Sequence, residues 1–411
     1  MSEVGRQGHQ AHGEDWVPDG WLTLPLGSIA SVRKTKGTAK SGVPCVELEH
    51  IESQTGRLLG WDASGTQTSI KTSFTKGDVL FGKLRPYLRK YAVAPFDGVC
   101  TTEVLAIYPN EEIIDSNFLF NLMQGDGVFS TVEALSYGTK MPRVSWADLS
   151  DIIVDIPPLS EQKKVAAILT AVDDKLDVIA GQIEATHTLK QGLMQTLFSQ
   201  CSADWPTVSL QEVAGIRTGV AKGKKGLKEP IELPYLRVAN VQDGHIDLTE
   251  VKTIAVDAAQ VERYALQSGD VLMTEGGDFD KLGRGDVWEG QISPCLHQNH
   301  VFAVRPTPSK LNSYYLAALA ASDYGRQYFL SCAKRTTNLA SINSSQLKSF
   351  PVLLPPLDEQ VRIADIVAAA NARIETLSTK KAHYQTLKRG LMQKLLTGEW
   401  RVKLDSPSGI A

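Results

Sequence analysis

Hydrophobic and polar positions fall into two regimes that alternate twice along the chain. In the first regime, Val165, Leu169, Val172, Leu176, Ile179 and Ile183 recur in alternating steps of four and three, and Ile363, Val367, Ala370, Ile374 and Leu377 repeat that spacing. Such steps put the apolar side chains on one stripe of a helix and define a heptad seam. Each run follows a helix-stopping pair, Pro157-Pro158 or Pro355-Pro356, which predicts Ser160 or Asp358 as N-cap. Glu161 or Glu359 then suits the positive end of the helix dipole. Further along, both seams turn polar, at Thr186 and Lys190 in the first copy and at Lys381 and Lys388 in the second, and Gly192 and Gly390 weaken the far turns. A helix of about 40 residues spans ~60 Å, long enough to serve as a spacer.

The second regime lies upstream of each helix and mixes short apolar runs with amphipathic stretches. Val79-Leu80-Phe81, Val104 to Tyr108 and His300 to Val304 are bounded by Gly, Pro or Asp and predict strands. Phe118 to Met123 and Tyr314 to Leu319 have helical character. Strands and helices do not alternate regularly, which predicts α+β rather than a doubly wound sheet.

The alternation reflects an internal duplication. Pro157-Pro158-Leu159-Ser160-Glu161-Gln162 matches Pro355-Pro356-Leu357-Asp358-Glu359-Gln360 at an offset of 198, and the same offset aligns Leu189 to Gln195 with Leu387 to Gln393 without a gap. Upstream the offset drifts: it is 184 between Trp21 and Trp205, and 192 between Gly77-Asp78-Val79-Leu80 and Gly269-Asp270-Val271-Leu272. Length varies where loops absorb it and is constant along the helices. The predicted divisions are a polar tail (1–14), a first domain (15–157), a first helix (158–200), a second domain (201–355), a second helix (356–400) and a short tail (401–411).

Composition narrows the function. Over 411 residues, 42% are hydrophobic and 22% charged, which fits a multidomain globular protein. No apolar run is long enough to span a membrane, and the polar start lacks the features of a signal peptide, so a cytoplasmic location is expected. Cys45, Cys100, Cys201, Cys295 and Cys332 are widely spread without a Cys-x-x-Cys pair, which predicts reduced thiols rather than disulfides or structural zinc. The net charge of −3 argues against a globally basic polyanion binder. Basic residues instead cluster locally in both halves, at Arg33 to Lys36, Lys83 to Lys90, Lys222 to Lys228 and Lys334-Arg335.

No complete catalytic constellation is present. Gly77 to Lys83 has phosphate-loop spacing, but Leu84 stands where Ser or Thr must hold magnesium. Asp155-Ile156-Pro157-Pro158-Leu159 lacks the aromatic of an adenine-methyltransferase loop, and Cys295, His297 and His300 lack a fourth ligand. No catalytic residue, cofactor or metal is therefore expected.

The paired Pro-Pro-Leu-x-Glu-Gln starts and Gly-Leu-Met-Gln ends resemble the Type I restriction-modification specificity subunit family from about Trp21 to about Trp400. Lys83 to Tyr87, Met273 to Lys281 and His297 to His300 share that resemblance. It implies two similar mixed α/β target-recognition domains separated by two long antiparallel coiled-coil helices. It also implies a noncatalytic subunit that binds double-stranded DNA at a bipartite site, joined by two adenine-methylating modification subunits and by restriction subunits that translocate and cut. A Type IIB-like specificity subunit and a protein-binding adaptor are the alternatives.

Phosphates take Lys and Arg, and base edges take Arg, Lys, Asn, Gln and Asp. The candidates in the first domain are Lys83, Arg85, Tyr87, Arg89 and Lys90, with Tyr137, Lys140 and Arg143 in a second polar loop. Those in the second domain are Asp278, Asp280, Lys281 and Arg284, then Arg335, Thr337 and Asn338.

Overall fold

The computed structural model describes residues 9–12, 15–63, 65–137, 140–199, 205–223, 227–277, 282–335 and 340–404. The chain forms two compact units, residues 1–179 with 380–411, and residues 180–379.

The first unit is built on an antiparallel sheet. Its strands are β1 (Ala30–Val32), β2 (Val79–Gly82), β3 (Tyr91–Val93) and β4 (Val104–Pro109), in the order β1-β4-β2-β3. All of β2 is buried, as its unbroken apolar run requires. A second four-stranded sheet joins Lys36–Thr38, Ile70–Phe74, Gly98–Thr101 and Cys45–Val46 around a smaller core of Val46, Ile51, Phe74 and Leu80. Two helices follow, α1 (Ser116–Gln124) and α2 (Asp126–Leu135). The Asp115 carboxylate caps α1 by accepting from the N–H groups of Asn117 and Phe118, both at 3.0 Å. The long helix α3 then covers Leu159–Ser199.

The second unit repeats the plan with β5 (Ala214–Thr218), β6 (Val271–Thr274), β7 (Gly285–Val287) and β8 (Val301–Pro306) in the order β5-β8-β6-β7. Its helices are α4 (Ser313–Ala321), α5 (Asp323–Cys332) and the long α6 (Leu357–Leu396). Val79 pairs with Ile107 in the first sheet as Val271 pairs with Val304 in the second, so the duplication extends to strand register.

Each unit contains half of each long helix, and within each unit the halves run antiparallel. In the first unit Val165, Ala166 and Leu169 of α3 join Leu395 of α6 in the core beneath the sheet. In the second, Met194, Leu197 and Phe198 of α3 join Ile363, Ala364 and Val367 of α6. The seam residues Val165, Leu169, Val172, Ile179, Ile363, Val367 and Leu377 are buried, while Leu176, Ile183 and Ile374 are half-buried.

The helix starts differ from expectation. Both begin two residues earlier, at Leu159 and Leu357, so Ser160 and Asp358 lie inside the first turn. The carbonyl of Pro158 accepts from the N–H groups of Glu161 and Gln162, and that of Pro356 from those of Glu359 and Gln360. Backbone carbonyls of the second prolines thus open the helices without a side-chain cap.

Gln162 and Gln360 explain the repeated motif. Gln162 Nε2 donates to the carbonyls of Ile113 (2.9 Å) and Pro157 (2.8 Å), and Gln360 Nε2 donates to those of Lys310 (3.0 Å) and Pro355 (2.9 Å). Glu161 is also buried and carries a two-pronged ion pair from Arg401, a residue that sequence alone assigns to a tail.

Candidate nucleic-acid interface

In the first unit the two predicted polar loops form one surface. Leu84 and Tyr137 both make β-bridges to Arg143, and the Arg85 N–H donates to the Pro142 carbonyl at 2.7 Å. The residues between Arg85 and Arg89 form a single turn of 3-10 helix, Pro86–Leu88. Arg85 (φ 50°) and Arg89 (φ 49°) flank it in the left-handed region, where a side chain with a Cβ is strained. Gln54 (φ 66°) is left-handed as well, and its N–H donates to the Arg89 carbonyl at 2.8 Å. Tyr91 fixes the same spot, its hydroxyl donating to the Gln54 carbonyl at 3.3 Å.

This backbone divides the candidates. Tyr87 and Tyr137 are 51% and 58% exposed, and Arg85 and Lys140 are exposed without an ion pair among the described residues. Three of the other cations, Arg89, Lys90 and Arg143, are used internally. Arg89 pairs with Asp126 at 2.7 Å and stacks over Phe129 at 4.8 Å. Arg143 pairs with Glu103 at 3.1 Å, and Lys90 donates to the Leu48 carbonyl at 2.7 Å. Lys83 is half-buried, its backbone tied to Glu103 and Val144.

In the second unit Asp278, Asp280, Lys281, Thr337 and Asn338 lie outside the described residues, as does the side chain of Arg335. The flanking backbone brings Gly276–Gly277, Ala340–Ser341 and Lys334–Arg335 into one small sheet, so the two candidate stretches converge. Beside it His300 Nδ1 meets Glu275 Oε2 at 2.5 Å. Arg284 Nε is buried and has no hydrogen-bond partner among the described residues.

Other sequence features take structural roles. The apparent phosphate loop is a turn whose Asp78 is buried and bound by Arg33 at 2.9 Å. Its counterpart Asp270 is bound by Arg305 at 2.6 and 2.7 Å. Arg33 precedes β2 in the chain and Arg305 follows β6, so the copies reach the same pairing from different strands. His297 is buried and holds the Val301 carbonyl through Nδ1 at 2.7 Å, and burial lowers its pKa. Burial pushes the Cys100 and Cys295 thiols up to about 12. No group of three or more potential metal ligands occurs among the described residues.

Two repeated α/β readers, each seated on half of a helix pair, define a specificity-subunit architecture. The model of the Type I restriction modification DNA specificity domain matches residues 18–186 and again 202–383, and the chain belongs to that family. It is 25% identical to the Type I restriction enzyme MjaVIII specificity subunit of Methanocaldococcus jannaschii over 89% of this chain and 84% of that one. It is 24% identical to the EcoKI specificity subunit of Escherichia coli K12 over 71% of this chain and 68% of that one. The match to the putative MjaX specificity subunit of M. jannaschii, at 29% identity, spans 51% of this chain and about half of that relative (49%). In fold, the chain is similar to a solved chain of a type I R-M system, with TM-score 0.60 and 23% identity over 93% of this chain and 99% of that one. It is also similar to the S subunit from M. genitalium, with TM-score 0.56 and 13% identity over 91% and 96%.

Sequence reasoning missed Gln54, Gly56 and Arg401, because none lies in a basic cluster or a seam. A signal for the helix side was present: lysine interrupts the apolar seam at the same position, 190 and 388, in both copies.

Proposed function

We propose that this chain is the DNA-reading and scaffolding subunit of a Type I restriction-modification enzyme, with each unit reading one half of a split duplex site. The observation that carries the reading is the exposed pairing of Arg85 and Tyr87 with Tyr137 and Lys140 on a backbone already held in strained geometry. A rigid turn presents an aromatic and a cation at no further ordering cost, which favours recognition of a fixed groove. Arg85 and Lys140 serve phosphates or base edges, while Arg89, Lys90 and Arg143 shape the surface from within. In the second unit the reader is the loop pair around Arg284 and Arg335, together with Asp278, Asp280, Lys281, Thr337 and Asn338.

The long helices seat two modification subunits that methylate adenine, and restriction subunits join that assembly. The chain itself supplies recognition and no reacting group, and it acts in the cytoplasm, where host DNA lies. No helix among the described residues is long and apolar enough to cross a membrane. The relatives named above are Type I specificity subunits, which favours this reading over a Type IIB-like system or a protein-only adaptor.

The test exchanges residues 205–355 for the matching segment of a relative and maps methylation by the assembled enzyme. One half of the recognised site should change and the other persist. A change in both halves, or in neither, would rule out independent readers.

A further inference from the structure

In each unit one tight turn of the reader rests on the long helices, and in the first unit that same turn holds the DNA-reading turn. It spans Ser53 to Arg57. Its Gln54 N–H is bonded to the Arg89 carbonyl, the residue that closes the turn carrying Tyr87. Its Arg57 guanidinium forms an ion pair with Asp177 of α3. Between them Gly56, at φ +78°, lies so close to α1 that an added Cβ would stand 2.8 Å from Phe120 Cζ and 3.7 Å from Gln124 Oε1. Gln124 Oε1 accepts from Lys388 Nζ of α6 at 3.2 Å, and Lys388 also pairs with Asp173 of α3 at 2.8 Å.

A cavity of about 1930 Å³, lined by Gln54, Phe120, Asp173 and Lys388 among others, opens beside this seat. Reader and helices are therefore not continuously packed there, and the turn is a principal strut across the gap.

The second unit contains the same device in shorter form. Val241–Gln242 and His245–Ile246 form a hairpin whose turn is Asp243-Gly244. Gly244 sits at φ +74°, and a Cβ there would lie 4.0 Å from Nζ of Lys190, the α3 counterpart of Lys388. Lys190 is half-buried and feels the charges of Asp243 and Asp286, and Asp243 is tied to Arg326 of α5 at 2.6 Å. The two copies differ in turn length and in how they reach the lysine, directly at Gly244 and through Gln124 at Gly56, yet each links a glycine turn to the same helix position. Recurrence with different chemistry marks a requirement of position rather than an accident of packing.

We infer that these turns are positioning elements for DNA discrimination: Gln54, Gly56 and Arg57 set the reading turn of the first unit against the helix pair, and Asp243 with Lys190 seats the second reader. The inference rests on the proposed DNA-reading role. None of these residues needs to touch DNA. They decide whether Arg85 and Tyr87 meet the base edges in register, so their loss affects discrimination more than general attraction to phosphates.

The experiment uses the full chain assembled with its modification subunits and compares binding to the cognate duplex with binding to duplexes changed at one base pair. Gly56→Ala and Arg57→Ala should lower discrimination about tenfold in one half of the site, the size of one misaligned base contact. The other half and the salt slope should stay unchanged, because no phosphate contact is removed. Arg57→Glu combined with Asp177→Arg should recover discrimination, which places the effect in the ion pair. Arg57→Ala should unfold at the parent's temperature while discrimination falls, which a purely structural role for Arg57 would not predict. Asp243→Ala and Lys190→Met should act on the opposite half.

Arg85→Ala and Tyr87→Ala are measured in parallel. If they alter binding while folded turn variants keep full discrimination in both halves, the positioning inference is overturned and the reading surface stands. If they too leave binding unchanged, the reading surface falls and the inference with it.

Discussion

The side-chain carbonyl of Gln162 accepts a hydrogen bond from the backbone N–H of Asp115 at 2.8 Å, joining the first turn of a long helix to the residue that caps α1. Gln360 and Asn312 repeat the contact at 2.8 Å in the second unit, where Asn312 caps α4. One carboxamide thus satisfies a backbone donor and two carbonyls at each junction between reader and helix.

Gln162→Ala should destabilise the first unit by about 2–4 kcal/mol, because three backbone groups, one buried and two partly buried, lose their partner together. Gln162→Glu should not restore stability, since a carboxylate accepts from Asp115 but donates to neither carbonyl. Denaturant unfolding of both variants checks this, and a loss below about 0.5 kcal/mol for Gln162→Ala would contradict it.

Arg401→Ala should destabilise the first unit by about 2–3 kcal/mol by leaving the buried Glu161 carboxylate without its guanidinium. Adding Glu161→Gln should recover part of that loss, because the stranded charge is then gone. Thermal unfolding of the two variants side by side reports the difference, and equal stabilities would show that the charge was never the issue.

Asp78→Asn and Asp270→Asn should each cost about 2–4 kcal/mol, since both remove the charge that holds an arginine against a buried turn. Asp78→Asn should act on the first unit and Asp270→Asn on the second. Limited proteolysis mapped to fragments tells whether opening is confined in this way.

His297 sets an acid sensitivity. Burial lowers its pKa in the folded state, so the folded protein keeps the ring neutral while the unfolded chain takes up a proton. Stability is then complete above the unfolded value, about 6.5, and falls as pH drops below it towards the folded pKa. Unfolding free energies between pH 7.5 and 5 should decline in the parent protein and decline less in His297→Gln. Parallel curves for the two proteins would remove His297 as the cause.

The long helices were legible because their period, their proline starts and their ungapped duplication are all local sequence properties. The strands at Val79, Val104 and Val301 were legible for the same reason: short apolar runs bounded by Gly, Pro or Asp. Charge partners were not. Arg33 and Asp78 are 45 positions apart, and Arg401 and Glu161 are 240 apart, so no window along the chain couples them. The basic cluster from Lys83 to Lys90 was visible, but its division into exposed and internally paired cations depends on Asp126, Glu103 and the Leu48 carbonyl, which only folding brings near. The left-handed backbone at Arg85 and Arg89 has no glycine to announce it.

The bond from Arg401 to the Asp19 carbonyl, at 3.0 Å, has a consequence for biosynthesis. The second unit is a single continuous stretch, residues 180–379, whereas the first is closed by residues beyond 379. A ribosome delivers the chain from its N-terminus, so the reader encoded first is the one completed last. Until Lys388, Leu395 and Arg401 emerge, the nascent first unit lacks the partners of Asp173, the apolar cover for Val165 and Leu169, and the counter-ion of Glu161. Closure of the first unit is thereby tied to synthesis past Arg401: a chain cut short before residue 380 would carry the whole stretch of the second unit and an open first one.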